Sequence, residues 1–95
     1  MNKYEAMYII NPNTADDARA ALVERFSGIV TNGGGNVEKI DDWGKRKLAY
    51  EIDDMTEGHY ILMHFESESS LPKELERNFK ISEDVMRFLV IRKEA

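Results

Sequence analysis

Residues 37–66 read VEKIDDWGKRKLAYEIDDMTEGHYILMHFE, two extended runs on either side of a polar break. In the second run, His59, Ile61, Met63 and Phe65 fall on one strand face and Tyr60, Leu62 and His64 on the other. In the first run, Val37 to Ile52, the even positions Ile40, Leu48, Tyr50 and Ile52 share one parity. Between the runs, Asp53-Asp54-Met55-Thr56-Glu57-Gly58 carries the polar, glycine-ended composition of a connecting loop. The pattern predicts an antiparallel hairpin at the centre of the chain.

Outward from this hairpin the period changes on both sides. Asn32 and Gly33-Gly34-Gly35 precede it and read as a helix stop, since glycine tolerates the left-handed conformation beyond a helix C-terminus. Upstream of the stop, Ala18, Leu22, Phe26, Ile29 and Val30 recur at helical spacing. Thr14, three residues before Asp17, gives that helix a capping-box-like start. Lys3 to Ile10 (KYEAMYII) is a strand that ends in the turn Asn11-Pro12-Asn13. Downstream, Ser69-Ser70 is expected to cap a second helix whose apolar stripe is Leu71, Leu75 and Phe79, with Pro72 in its first turn. Val85 to Arg92 (VMRFLVIR) is the last strand. The order β-α-β-β-α-β predicts an α+β, ferredoxin-like fold over residues 1–95, a four-stranded antiparallel sheet with both helices on one face.

Composition narrows the function classes. The chain has 95 residues, 18 acidic against 13 basic, and a formal net charge of −5. It has no cysteine, which excludes disulfides and thiolate metal sites and suits a reducing cytoplasm. No window approaches the roughly eighteen apolar residues of a membrane span, and charges interrupt the first ten positions, against a secretory signal. His59 and His64 are an odd number of residues apart on one strand and so cannot share a metal. Asp41-Asp42 points to opposite faces, and the triple glycine follows a helix instead of opening one, against a phosphate-cradling loop. The residues predict neither an enzyme nor a metal, a cofactor or a small-molecule substrate.

Two features remain. With both helices on one side, the other sheet face is open, yet Met7, Ile9, Tyr60 and Leu62 would lie there; they read either as scattered surface hydrophobes or as the seat of a protein partner. The second feature is the run Lys45-Arg46-Lys47, where alternation sends Arg46 one way and both lysines the other. From Lys73 to Lys93 there are six cations and four acids, whereas Thr14 to Phe26 holds three acids and two cations. Such cations either protect an edge strand from pairing or form a phosphate-contacting rim. The residues alone leave both pairs of readings open.

Several segments resemble one family. Lys3-Tyr4-Glu5, Asn11-Pro12-Asn13, the run Trp43 to Ile52 (WGKRKLAYEI), the strand after Gly58, and Lys80 to Arg87 (KISEDVMR) together are similar to the bacterial small-subunit ribosomal protein numbered six. The resemblance covers essentially the whole chain. It implies a ferredoxin-like component of the small ribosomal subunit in the cytoplasm. Its implied partners are the central domain of 16S ribosomal RNA and a small basic ribosomal protein numbered eighteen, bound as a heterodimer. Carried onto this sequence, it implies RNA contacts at Lys45, Arg46, Lys80, Arg87 and Arg92, with Lys3 and Lys47 as secondary candidates. Ser82 and Met86 stand where relatives often carry cations, which argues for RNA binding together with the partner. A free-standing RNA-recognition module has the same element order, but Glu57 precedes Gly58 where that module needs a basic residue. An acylphosphatase-type enzyme needs an arginine after the first strand, and Asn11-Pro12-Asn13-Thr14 has none.

Overall fold

Period-two alternation divides each strand between a helix-covered face and an open one. In the computed structural model, which describes residues 1–52 and 54–93, the elements are β1 (Asn2–Ile10), α1 (Asp16–Asn32), β2 (Asn36–Ile52), β3 (Met55–Ser67), α2 (Leu71–Ile81) and β4 (Val85–Arg92). Asp53 of the expected loop and the terminal Glu94 and Ala95 lie outside the described residues. All strand pairs are antiparallel, in the order β2-β3-β1-β4. The ferredoxin-like arrangement expected from the sequence is the one observed.

Tyr4, Ala6, Tyr8 and Ile10 of β1 and Ile61, Met63 and Phe65 of β3 are buried under Leu22, Phe26 and Val30 of α1 and Leu71, Leu75 and Phe79 of α2. An aromatic knot centres this core. Phe26 and Phe79 meet edge-on at 4.6 Å, and Tyr8 lies 5.1 Å from Phe26 and 5.0 Å from Phe79. Aromatic pairs at such separations gain on the order of 0.5–1.5 kcal/mol beyond the area they bury. Both helices draw on this cluster, which places them on the same sheet face.

Three local expectations are corrected. Thr14 does not cap α1, which begins at Asp16 with Ala15 in the capping position and no side-chain cap. Asn11 closes the preceding turn instead: its side-chain oxygen accepts from the Asn13 amide at 2.9 Å and its carbonyl from Thr14 at 3.0 Å. Ser70 sits at the start of α2 in helical dihedrals and likewise makes no side-chain cap, because a cap requires extended backbone there. The hairpin loop is also tighter than its composition suggests, since β3 begins at Met55, paired with Ile52.

The shared parity of Ile40, Leu48, Tyr50 and Ile52 fails for a physical reason. Register shifts interrupt the β2–β3 ladder between Val37 and Lys39, between Asp42 and Gly44, and between Lys47 and Ile52. Each inserted residue exchanges the faces of everything beyond it. Ile40 therefore pairs with core-facing Met63, whereas Leu48 comes to lie over the open face beside Gly58 and Ile9.

Candidate functional site

The open face is built from the odd positions of β1 and β4 and the even positions of β3. Met7 pairs with Leu62 on one side and Leu89 on the other, and Ile9 with Tyr60 and Arg87. Beyond Lys47 the β2 chain leans over this face. Leu48, Ala49, Tyr50 and Ile52 line one hollow with Met7, Ile9, Tyr60 and Arg87. Gly58 makes the approach possible, because a Cβ there would run into the Ile9 side chain and touch Leu48. The Tyr50 ring reaches the Arg87 guanidinium at 4.8 Å, so the β2 arm and the far edge strand meet across the hollow. Met7, Tyr60 and Leu62, singled out in the sequence, thus lie partly exposed on this face, whereas Ile9, singled out with them, is buried at 5% exposure beside Leu48 of the β2 arm.

The seven candidate cations separate into two groups. A row across the sheet joins Lys45, His59, Ile10 and Val85, and a second joins Val37, Phe65, Tyr4 and Arg92. Lys45, Arg46, Lys47 and Arg87 lie near the first row, as does Lys80, in the last turn of the helix that leads into Val85. Lys3 and Arg92 lie near the second. Six residues of β1, about 20 Å at ~3.3 Å per residue, separate the two ends.

The two ends differ in how their charges are partnered. At the Tyr4 end, Lys3 pairs with Glu38, Lys39 with Asp41, and Lys93 with Glu5, each at 3.3 Å. His64 is wedged into this network, its Nε2 3.2 Å from Asp41 and its Nδ1 3.1 Å from the Lys93 Nζ. Arg92 donates to the Asn2 side-chain oxygen at 2.9 Å. At the Ile10 end, among the described residues, no carboxylate lies within ion-pair distance of Lys45, Arg46, Lys47, Lys80 or Arg87. All five are exposed. Register places Arg46 opposite Gly58 and the flanking lysines opposite His59 and Glu57, so the triplet addresses both faces of the edge.

The histidines occupy opposite faces. His59 is buried on the helix side, with Nε2 2.6 Å from Asp42 Oδ1. Desolvation pushes the Asp42 pKa up, but the Gly44 amide, the hydrogen bond and charge of His59, and the charge of Arg19 outweigh it, leaving the carboxyl below its ordinary range. This carboxylate is structural: it holds the backbone of the Trp43-Gly44 step, where the Gly44 amide donates to it at 2.9 Å. Sequence reasoning missed both Trp43 and Tyr50 as surface features. The adjacent glycine was the available signal for Trp43; for Tyr50 there was none, because its face depends on the register shifts.

The family profile described as Ribosomal protein S6 matches residues 3–92. The chain belongs to this ribosomal protein S6 family. It is 53% identical over 91 residues to small ribosomal subunit protein bS6 of Clostridium acetobutylicum, covering 96% of each chain. To the protein of the same name in Thermoanaerobacter pseudethanolicus it is 48% identical over 92 residues, covering 97% of each. The crystal structure of 30S ribosomal protein S6 from Thermotoga maritima superposes with a TM-score of 0.92 at 33% identity, covering 97% of this chain and 87% of that one. As an S6-family member the chain is a protein of the small ribosomal subunit, associated with ribosomal RNA in a ribonucleoprotein that serves translation. Its relatives are ribosomal structural proteins. Among the described residues, no helix is long and apolar enough to cross a membrane.

Proposed function

We propose that this chain binds the central domain of 16S ribosomal RNA jointly with the small basic ribosomal protein numbered eighteen, as a non-catalytic element of small-subunit assembly. Lys45, Arg46, Lys47, Lys80 and Arg87 face phosphate at the Ile10 end, with Lys3 and Arg92 as a separate contact at the other. Met7, Tyr60 and Leu62, packed over the buried Ile9, seat the protein partner. What supports this reading most is the Ile10 end: five exposed cations without carboxylate partners among the described residues gather at this end of the sheet, and one of them, Arg87, lines the apolar hollow. A cation without a partner can release counterions from RNA, whereas one already paired must first lose its carboxylate.

The test measures binding of a central-domain RNA fragment across a salt series, with and without the partner protein. Lys45→Ala with Arg46→Ala should weaken the ternary complex and lower the slope of log K against log salt by about 1.4–1.8, the share of two phosphate contacts. Unchanged affinity and slope in this double variant would remove both residues from the RNA interface. Absence of the chain from small subunits purified from its own cells would overturn the assignment as a whole.

A further inference from the structure

Trp43 is the only tryptophan, and the fold spends a backbone irregularity on it. Asp42 pairs with Ile61 and Gly44 with Tyr60, so Trp43 is the extra residue of a bulge. Gly44 takes φ 72°, its amide donates to Asp42 at 2.9 Å, and Asp42 is held by His59 at 2.6 Å. The bulge is thus fixed from the helix side, and it turns the indole toward the open face. There the indole stacks on Tyr60, with ring centroids 6.4 Å apart and planes within 16°. The Arg46 guanidinium lies 6.0 Å from the indole centroid, and its Nε donates to the Trp43 carbonyl at 3.1 Å. The indole remains 44% exposed, so the core does not account for its placement.

We propose that Trp43, backed by Tyr60 and Arg46, is a stacking platform for one unpaired nucleobase of the RNA. This rests on the RNA-binding reading above and adds to it a site for a base where that reading has only phosphate contacts. Unpaired bases stack on aromatic rings and on arginine planes, and cations beside such rings take the adjoining phosphates. Here Arg46 borders the platform on its own face, and Lys45 and Lys47 stand on the other side of the same edge, all three without carboxylate partners among the described residues, which gives the platform the charge a nucleotide complements. A protein segment fits it poorly, because an apolar chain laid over the indole would cover the Arg46 guanidinium without neutralising it. The hollow around Met7, Ile9 and Leu48 suits a protein better, since it is mostly apolar and its one cation, Arg87, already lies against the Tyr50 ring.

The tryptophan supplies its own reporter. In a reconstitution of the full chain with the partner protein and a central-domain RNA fragment, RNA should quench Trp43 emission with the midpoint of the binding curve. Emission is read as the difference between wild-type and Trp43→Phe complexes, so that any tryptophan of the partner cancels. Trp43→Leu should weaken RNA binding between about 5-fold and 100-fold while leaving the salt slope unchanged, since stacking releases no counterions. Trp43→Phe should retain most of the affinity. RNA binding by Trp43→Leu equal to wild type overturns the stacking role and leaves the phosphate contacts standing. An emission change produced by the partner alone, with none on adding RNA, assigns the indole to the protein interface and also overturns it. Failure of the wild-type assembly to bind the RNA at all overturns the RNA-binding reading and the stacking role together.

Discussion

Gly44→Ala tests whether the bulge that aims Trp43 is held where the structure puts it. Two effects oppose each other. The residue has φ 72°, in the region where a Cβ crowds the following carbonyl, at a cost of roughly 1–2 kcal/mol for an L-residue. Alanine also restricts the unfolded chain more than glycine does, which returns about 0.4–1 kcal/mol to the folded state. No further steric cost enters, because nothing lies within 4 Å of a Cβ built there. The backbone penalty wins by about 1 kcal/mol. In a domain of this size that lowers Tm by about 4–8 °C and the urea midpoint by about 0.3–1 M with an unchanged m-value. Gly44→Asn should fall between alanine and wild type, because asparagine tolerates the left-handed region better. Thermal and urea melts followed by circular dichroism give the comparison. A Gly44→Ala variant as stable as wild type, or more so, refutes the left-handed bulge and with it the account of how Trp43 is presented.

Gly58→Ala should destabilise by the opposite mechanism: its backbone is ordinary, but the new methyl collides with the Ile9 side chain, at about 1–3 kcal/mol for an overpacked site, read in the same melts. Phe26→Ala removes a ring with no exposed surface from between Tyr8 and Phe79 and should cost about 3–5 kcal/mol, enough that urea midpoints will show it plainly. Asp42→Asn should change the acid limb of the stability curve. A carboxyl held below its unfolded value adds stability that is complete above the unfolded pKa of about 3.9 and is lost as pH falls through the lower folded value. The gap between wild type and Asp42→Asn should therefore be open at about pH 5 and close below pH 4 as the carboxylate is protonated.

Most of the fold was legible because each segment keeps a single period from start to stop. The even residues of β1 and the Leu71, Leu75 and Phe79 stripe of α2 bury as their spacing predicts. Helix starts were not legible in detail: Thr14 and Ser70 have the right chemistry for caps, but the turns before them are closed by other groups. β2 defeated the parity argument because three register shifts each exchange its faces, and only Gly44 marks one of them. For the candidate site, residue type could be read but not grouping. Lys3 and Lys45 look alike in sequence; only the folded structure shows that Lys3 pairs with Glu38, two strands away, and that Lys45 has no carboxylate partner among the described residues.

The contrast between a net charge of −5 and a cation-bearing end resolves through distance and screening. The ion pairs of Lys3, Lys39 and Lys93 with Glu38, Asp41 and Glu5 are partly exposed, and such pairs add at most about 1 kcal/mol each. Their larger effect is on location, since they offset those lysines at the Tyr4 end, whereas Lys45, Arg46, Lys47, Lys80 and Arg87 have no carboxylate partner among the described residues. The two ends of the sheet are about 20 Å apart along β1, more than twice the ~8 Å Debye length at physiological ionic strength. A phosphate placed at the Ile10 end by the proposed binding mode therefore meets cations without carboxylate partners among the described residues and is largely screened from Glu5, Glu38 and Asp41. The acids near this end, such as Glu57 opposite Lys47 and Asp84 beside Asn11, make no ion pair with these five cations among the described residues.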